Sequence, residues 1–286
     1  MAKQIPIGCR VAITGGARGI GRAVAQGFLA AGGRVAIGDI DGVLARRTAA
    51  ELAEELGGTV VGLDLDVTDE ASFAQFLAAA GEELGELDVL VNNAGIMPTG
   101  PFLEESQAIS DRQIAVNLRG VVIGSRLAAA RFVPRGAGQI VNIASLAGII
   151  PVPGVAVYSA TKAAVVALGD ALNQEIGPHG VAVTTVTPVL VRTELASGIQ
   201  RNRLQEAVAV VDPEEVAAAI VAAVARGRAG LVTVPRSTGF VARSTRMLPE
   251  GLRNAFYGVA GIQSASANAD EVARSAYRVR IAPTEK

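Results

Sequence analysis

Cysteine occurs once in the 286-residue chain, at Cys9, so an intramolecular disulfide is excluded. Histidine also occurs once. His179 follows Pro178 near the end of a helical stretch and has no Cys or His partner at metal-ligand spacing, so no metal site is expected. Long apolar runs are missing as well, each being broken by Gly, Pro or charge well short of the roughly 18 residues that suggest a membrane span. The opening residues MAKQIPIGCR lack the apolar core of a secretion signal. These absences point to a reducing, cytoplasmic setting with no transmembrane segment. Excess charge is lacking too: a formal net charge of −1 gives no global attraction for nucleic acid or an anionic membrane.

What is present is a large reserve of core-forming residues. Half the chain is hydrophobic and 19% is charged, which excludes global disorder. From Arg10 to about Val234, short β-branched runs alternate with Ala-rich helical stretches. That rhythm predicts an α/β fold, a single doubly wound Rossmann-type domain with a seven-stranded parallel sheet and helices on both faces. Strands are expected at Arg10 to Thr14, Arg34 to Gly38, Thr59 to Asp64, Leu87 to Asn92, Gln139 to Ala144, Val181 to Thr187 and Gly230 to Val234. Helices are expected at Gly19 to Ala31, Gly42 to Leu56, Glu70 to Leu84, Asp111 to Arg131, Tyr158 to Ile176 and Pro213 to Ala225. Asp69 and Asp212 suit helix N-caps, and Pro213 suits a first helical position. After Val234 the rhythm stops. Residues 1–240 therefore read as the catalytic domain and 241–286 as an extension, in which GIQSASANAD looks like a loop and Asp270 to Arg280 like a polar helix capped by Asp270. Packing on the same domain or on a neighbouring subunit is the plain reading of this tail; a substrate lid and a membrane-surface contact are the alternatives.

The first strand runs into Thr14, Gly15, Gly16, Ala17, Arg18, Gly19, Ile20 and Gly21, followed at once by a helix. Glycines there permit positive φ and close approach of a pyrophosphate, whose charge is met by helix N-terminal N–H groups. Between a strand and a helix, such a turn predicts dinucleotide binding rather than a merely structural bend. Asp39 closes the second strand, where a carboxylate can accept from the adenosine ribose hydroxyls and would repel a 2′-phosphate. NAD is therefore favoured over NADP, although Arg18 offers a counter-charge that an extra phosphate could use. Asp66 and Val67 can receive the adenine amino group, or else make a turn before the next helix. Asn93, Ala94 and Gly95 are small or amide-bearing residues against which a cofactor can lie and which can tie adjacent strands.

Tyr158 and Lys162 stand four residues apart on one helix and so share a face. A tyrosine titrates near 10, too high for a base at neutral pH, but an adjacent ammonium and a positively charged nicotinamide would lower it. Ser145, at the end of the fifth strand, can hydrogen-bond a substrate oxygen. Asn117 is placed to anchor a water linking Lys162 to solvent. The carboxylate pairs Glu54-Glu55 and Glu214-Glu215 read as solvated helix faces, and Cys9 carries no nucleophile signature.

Taken together, TGGARGIG, Asp66, NNAG, Asn117, Ser145 and YSATK resemble the short-chain dehydrogenase/reductase family, over about Val11 to Val234. The resemblance implies Tyr158 as catalytic acid/base, Ser145 as the residue that orients and polarises substrate, Lys162 as the group that lowers the tyrosine pKa and binds ribose, and Asn117 as the end of a proton relay. It also implies that Pro188, the Val191 backbone and the Thr193 hydroxyl meet the nicotinamide, and that the protein is a homo-oligomer, a tetramer. One departure stands out: the family's usual Pro-Gly is Pro188-Val189 here, so the path past the nicotinamide is expected to differ. The implied activity is hydride transfer between NAD(H) and a secondary alcohol or ketone, probed by an apolar pocket of Ile96, Met97, Pro98, Leu146, Ile149, Val152 and Leu195. An NADP(H)-dependent ketone reductase and a non-catalytic dinucleotide-binding regulator are the rival readings.

Overall fold

Strand β1 (Arg10–Thr14) sends alternate side chains into two different cores. Val11 and Ile13 enter one and Ala12 the other, as the two-residue period of a strand requires. β2 (Arg34–Asp39) and β4 (Val89–Asn92) repeat the division through Val35, Ile37, Val89 and Val91 on one side and Ala36 and Leu90 on the other. Strands that are apolar on both faces must be covered twice, and this forces helices onto both sides of the sheet.

The computed structural model describes residues 5–6, 8–199, 210–245, 247–259 and 271–281. Its main sheet has seven parallel strands in the order β3 (Val60–Asp64), β2, β1, β4, β5 (Gly138–Ile143), β6 (Val181–Pro188) and β9 (Gly230–Val234). A short parallel pair, β7 (Leu190–Val191) with β8 (Val210–Val211), lies apart from it. Strands of two residues are too short to show a period, and they were not expected. Helices α1 (Gly19–Ala30), α2 (Gly42–Leu56) and α7 (Pro213–Ala225) contribute to the core that holds Val11 and Ile13. Helices α3 (Glu70–Leu84), α5 (Gly120–Arg135) and α6 (Ala156–Ile176) contribute to the opposite one, which is rich in Phe73, Phe76 and Phe132.

Helix ends follow local chemistry. The Asp69 carboxylate accepts from the Ala71 N–H at 2.9 Å at the start of α3. Before α7, the backbone N–H of Asp212 donates to Glu215 at 3.1 Å, with Pro213 in the first turn. The helix expected from Asp111 begins earlier and is broken: α4 (Gln107–Ile114), whose N-terminal N–H of Ile109 is met by the Ser106 hydroxyl, passes through a π turn at Ala115–Arg119 into α5. The tail holds α8 (Arg236–Thr245), α9 (Glu250–Val259) and α10 (Glu271–Ile281). The expected GIQSASANAD loop, with the Asp270 cap, lies outside the described residues. No helix among the described residues is long and apolar enough to cross a membrane.

The strand order reverses direction between β1 and β4, which opens a crevice at their C-terminal ends, the place where doubly wound sheets bind ligands.

Candidate active site

The crevice is lined first by the turn between β1 and α1. Gly15 adopts φ of +62° and faces β4 so closely that a Cβ would stand 2.9 Å from Ala94 Cα. A Cβ on Gly21 would lie 2.2 Å from the Gly15 carbonyl oxygen, so this glycine lets α1 start directly beneath the turn. The turn is then stitched to the end of β4. Asn93 Nδ2 donates to the carbonyls of Thr14 and Gly15, both at 2.9 Å, and the N–H groups of Asn93 and Ala94 donate to the Thr14 hydroxyl at 3.0 Å. No side chain caps α1, which leaves its first N–H groups without that partner at the crevice.

Carboxylates rim the outer end. Asp39, nearly buried, accepts from the N–H of Ala17 at 3.3 Å and of Asp41 at 3.2 Å. Arg18 is held between acids, 3.2 Å from Asp41 and 3.6 Å from Glu194. Asp66 combines two tasks: one carboxylate oxygen accepts from the Thr68 N–H at 2.9 Å and hydroxyl at 2.7 Å, while the residue forms part of the cavity wall beside Val67.

Further in, α6 presents Tyr158 and Lys162 on one buried face. Lys162 Nζ donates to the Ile143 carbonyl at 2.8 Å and lies 5.7 Å from the Tyr158 ring centre. Ser145 enters from the end of β5, its hydroxyl accepting from the Ala147 N–H at 3.1 Å. That short turn presses on α6 at Gly148, where a Cβ would be 2.6 Å from the Lys162 carbonyl carbon. Burial pushes the Tyr158 phenol up to about 12, with Ser145 acting in the opposite direction and Tyr277 adding to the rise. Burial likewise lowers Lys162 to about 8. In the protein alone, desolvation of the phenolate outweighs the hydrogen bond from Ser145; the fall expected from sequence includes the positive charge of a bound nicotinamide.

Most of the sequence-predicted positions meet in one cavity of about 760 Å³. Gly15, Arg18, Gly19, Ile20, Asp39, Asp66, Val67, Asn93, Ala94, Gly95, Ser145, Tyr158, Lys162, Pro188, Val191 and Thr193 all line it. Gly21 and Asn117 do not. Gly21 packs under the turn, and Asn117 is fully buried behind the wall. The Asn117 amide accepts from the Ile96 N–H and donates to the Ile96 carbonyl, both at 2.8 Å, and reaches the Thr161 hydroxyl at 3.3 Å. Val189 takes no glycine-like conformation, since no described non-glycine residue has positive φ. It continues past β6 with its N–H bonded to the Val234 carbonyl at 2.9 Å and its side chain in the core.

The apolar lining includes Ile96, Met97, Leu146, Val152 and Leu195 as expected, but Pro98 and Ile149 are absent from it. Ile149 packs instead with Ile150 and Ala242 of α8. The sequence reading missed Asp41, Glu194 and, above all, Tyr277 and Arg280 of α10, which also line the cavity. Their partners lie up to 180 residues away in the chain, so no local pattern marks them.

The short chain dehydrogenase family model matches residues 10–204. A probable oxidoreductase, EphD, of Mycobacterium tuberculosis is 35% identical over 261 residues, covering 85% of this chain but 44% of that protein, so the chain spans less than half the length of that relative. The 2,5-dichloro-2,5-cyclohexadiene-1,4-diol dehydrogenase LinX of Sphingobium indicum is 39% identical over 194 residues, 68% of this chain and 77% of that one. Among solved structures, a short chain dehydrogenase/reductase from Burkholderia phymatum in complex with NAD has 28% identity and a TM-score of 0.73, covering 85% of this chain and 93% of that one.

Proposed function

The chain belongs to the short chain dehydrogenase family of oxidoreductases, and from that premise we propose that it is an NAD(H)-dependent enzyme interconverting a secondary alcohol and its ketone on a mainly apolar substrate. The observation that carries this reading is the meeting of buried Tyr158 and Lys162 with half-buried Ser145 in the wall of a cavity that begins at a glycine turn and an uncapped helix.

The residues fit a nicotinamide dinucleotide. The Gly15 to Gly21 turn, too tight at Gly15 to admit a Cβ, and the N–H groups of α1 would hold the pyrophosphate. Asp39 would take the adenosine ribose, Asp66 and Val67 the adenine, Lys162 the nicotinamide ribose, and Pro188, Val191 and Thr193 the carboxamide. When bound, the oxidised cofactor supplies a hydride acceptor and a positive charge close to Tyr158. Tyr158 Oη takes the hydroxyl proton during oxidation and returns it during reduction. Ser145 Oγ hydrogen-bonds the same substrate oxygen. Lys162, anchored on Ile143, adds positive charge on the phenol's face of α6. The Asn117 side chain holds the Ile96 segment, and the family resemblance gives Asn117 the end of the proton relay from Lys162.

Preference for NAD is supported by the acidic rim. A 2′-phosphate would meet Asp39, Asp41 and Glu194, and Arg18 is already shared between the last two. The family resemblance extends the proposal to a cytoplasmic homotetramer in which residues 1–240 carry the cofactor and the reacting groups while α10 of the extension completes the cavity wall. An alcohol set in a carbocycle is consistent with the name of the Sphingobium relative.

The test is NAD+-dependent oxidation of a panel of apolar secondary alcohols by the wild type and by Tyr158→Phe. The variant is expected to lose roughly 10²- to 10⁴-fold in kcat while NAD binding persists. Full turnover by the variant would remove Tyr158 from the chemistry. Binding of NADP as tight as that of NAD would favour the NADP(H) reading, and binding without any turnover the regulator reading.

A further inference from the structure

The inner end of the cavity is closed by α10, and the closure is specific. Arg274 is 1% exposed, and its guanidinium donates to the carbonyls of Met97 at 2.7 Å, Leu195 at 3.1 Å and Ser197 at 2.8 Å. These three carbonyls belong to the segment after β4 and the segment after β7, so one side chain joins both substrate-side loops. The same guanidinium lies 5.0 Å from the Tyr277 ring centre, and that of Arg280 lies 5.9 Å from it. The ring is clamped.

Tyr277 is 7% exposed, and its hydroxyl oxygen accepts from the Met97 N–H at 2.7 Å. Among the described residues that hydroxyl donates its own proton to no acceptor. A buried phenol keeps a partner for its O–H wherever one is available, and an unused donor in an apolar wall costs free energy until something fills it. Tyr277 lines the same cavity as Tyr158 and Ser145. Apolar groups surround Tyr158: Met97, Val155, Ala196 and Ile199 form one cluster with it.

We propose that Tyr277 is a specificity-determining residue whose hydroxyl donates to a second oxygen of the substrate. The preferred substrate is then a largely apolar alcohol or ketone that carries another hydroxyl or carbonyl near the reacting carbon. This rests on the oxidoreductase reading of the cavity, with the reacting oxygen at Tyr158 and Ser145.

The experiment compares cyclohexanone with 2-hydroxycyclohexanone and 4-hydroxycyclohexanone on the full chain saturated with NADH. Ketone binding is followed by the change in NADH fluorescence, and turnover by loss of NADH absorbance. The wild type is expected to bind at least one hydroxyketone roughly 10- to 100-fold more tightly than cyclohexanone, the factor that one satisfied buried hydrogen bond supplies. Tyr277→Phe keeps the stacked ring but also leaves the Met97 N–H without its acceptor, so it is expected to weaken all three ketones somewhat and the favoured hydroxyketone roughly 10- to 100-fold more than cyclohexanone, erasing the preference. A preference that survives in the variant, an equal weakening of all three ketones, or no preference or no binding in the wild type would each overturn the proposal. Turnover separates the two claims: preferential binding without reduction of any ketone removes the oxidoreductase reading and leaves Tyr277 standing, whereas reduction of all three at equal efficiency does the reverse.

Discussion

The two ends of the cavity are built from different material. At the β1 end the walls are backbone, set by strand register and by glycines that leave no room for a side chain. At the α10 end they are side chains, held across 177 residues of sequence by the Arg274 bond to Met97 and across 180 by the Tyr277 bond to the same residue. A backbone-built wall is as rigid as the sheet it belongs to. A side-chain-built wall is only as firm as the few bonds that hold it. The first suits a ligand that does not change, the second a ligand that must be chosen.

The sharpest way to break this contrast is at Gly21. Gly21→Ala puts a Cβ 2.2 Å from the Gly15 carbonyl oxygen, where only the backbone can yield. Dinucleotide affinity is expected to fall by more than about 100-fold, with about 1–3 kcal/mol lost from folding stability, read by NAD titration and denaturant melts. Affinity kept within a few-fold would show that this end is not rigid.

Arg274→Met is the matching change at the other end. It removes the donor from three carbonyls, and the expected result is a KM for substrate raised about tenfold with NAD affinity changed less than about twofold, along with a stability loss of roughly 1–3 kcal/mol. A parallel loss of NAD affinity would show that the ends are coupled. The route for such coupling is on hand, because Glu194 contacts both Arg18 of the glycine turn and Arg280 of α10.

The effect at the seam, in Lys162, shows only as a dependence on pH. Its ammonium titrates at about 8 when folded and near 10.4 when exposed. Between those values the unfolded chain retains a proton that the folded chain has released, so stability rises with pH across the window. Relative to Lys162→Met, the wild type is therefore expected to gain up to about 1.4 kcal/mol per pH unit from pH 8 to 10, measured by denaturant melts of both proteins. A flat difference would mean that the amine is hydrated and not buried.

The same contrast explains what the sequence made legible. RVAIT followed by the glycine turn is a local pattern, and so is the four-residue step from Tyr158 to Lys162, because strand period, turn geometry and helix pitch are local physics. The upward push of burial on Tyr158 has no sequence signature, because charges can be counted in a sequence whereas desolvation depends on everything packed around the ring. Val189, where the path past the nicotinamide is expected to differ, forms a bend after β6 without positive φ, and it both packs in the core and lines the cavity. Ser106 was overlooked as the cap that starts α4, and Ile149 was placed one residue out of register with Ile150, which does line the cavity. Tyr277 and Arg274 had no local signature at all.

Arg274 grips its two loops through their carbonyl oxygens alone. Every amino acid supplies that oxygen, so the Arg274 grip itself does not depend on which side chains stand at Met97, Leu195 and Ser197. Met97 and Leu195, the two of them that line the cavity, are therefore the natural positions to randomise in a library that seeks new substrates while the loops stay gripped.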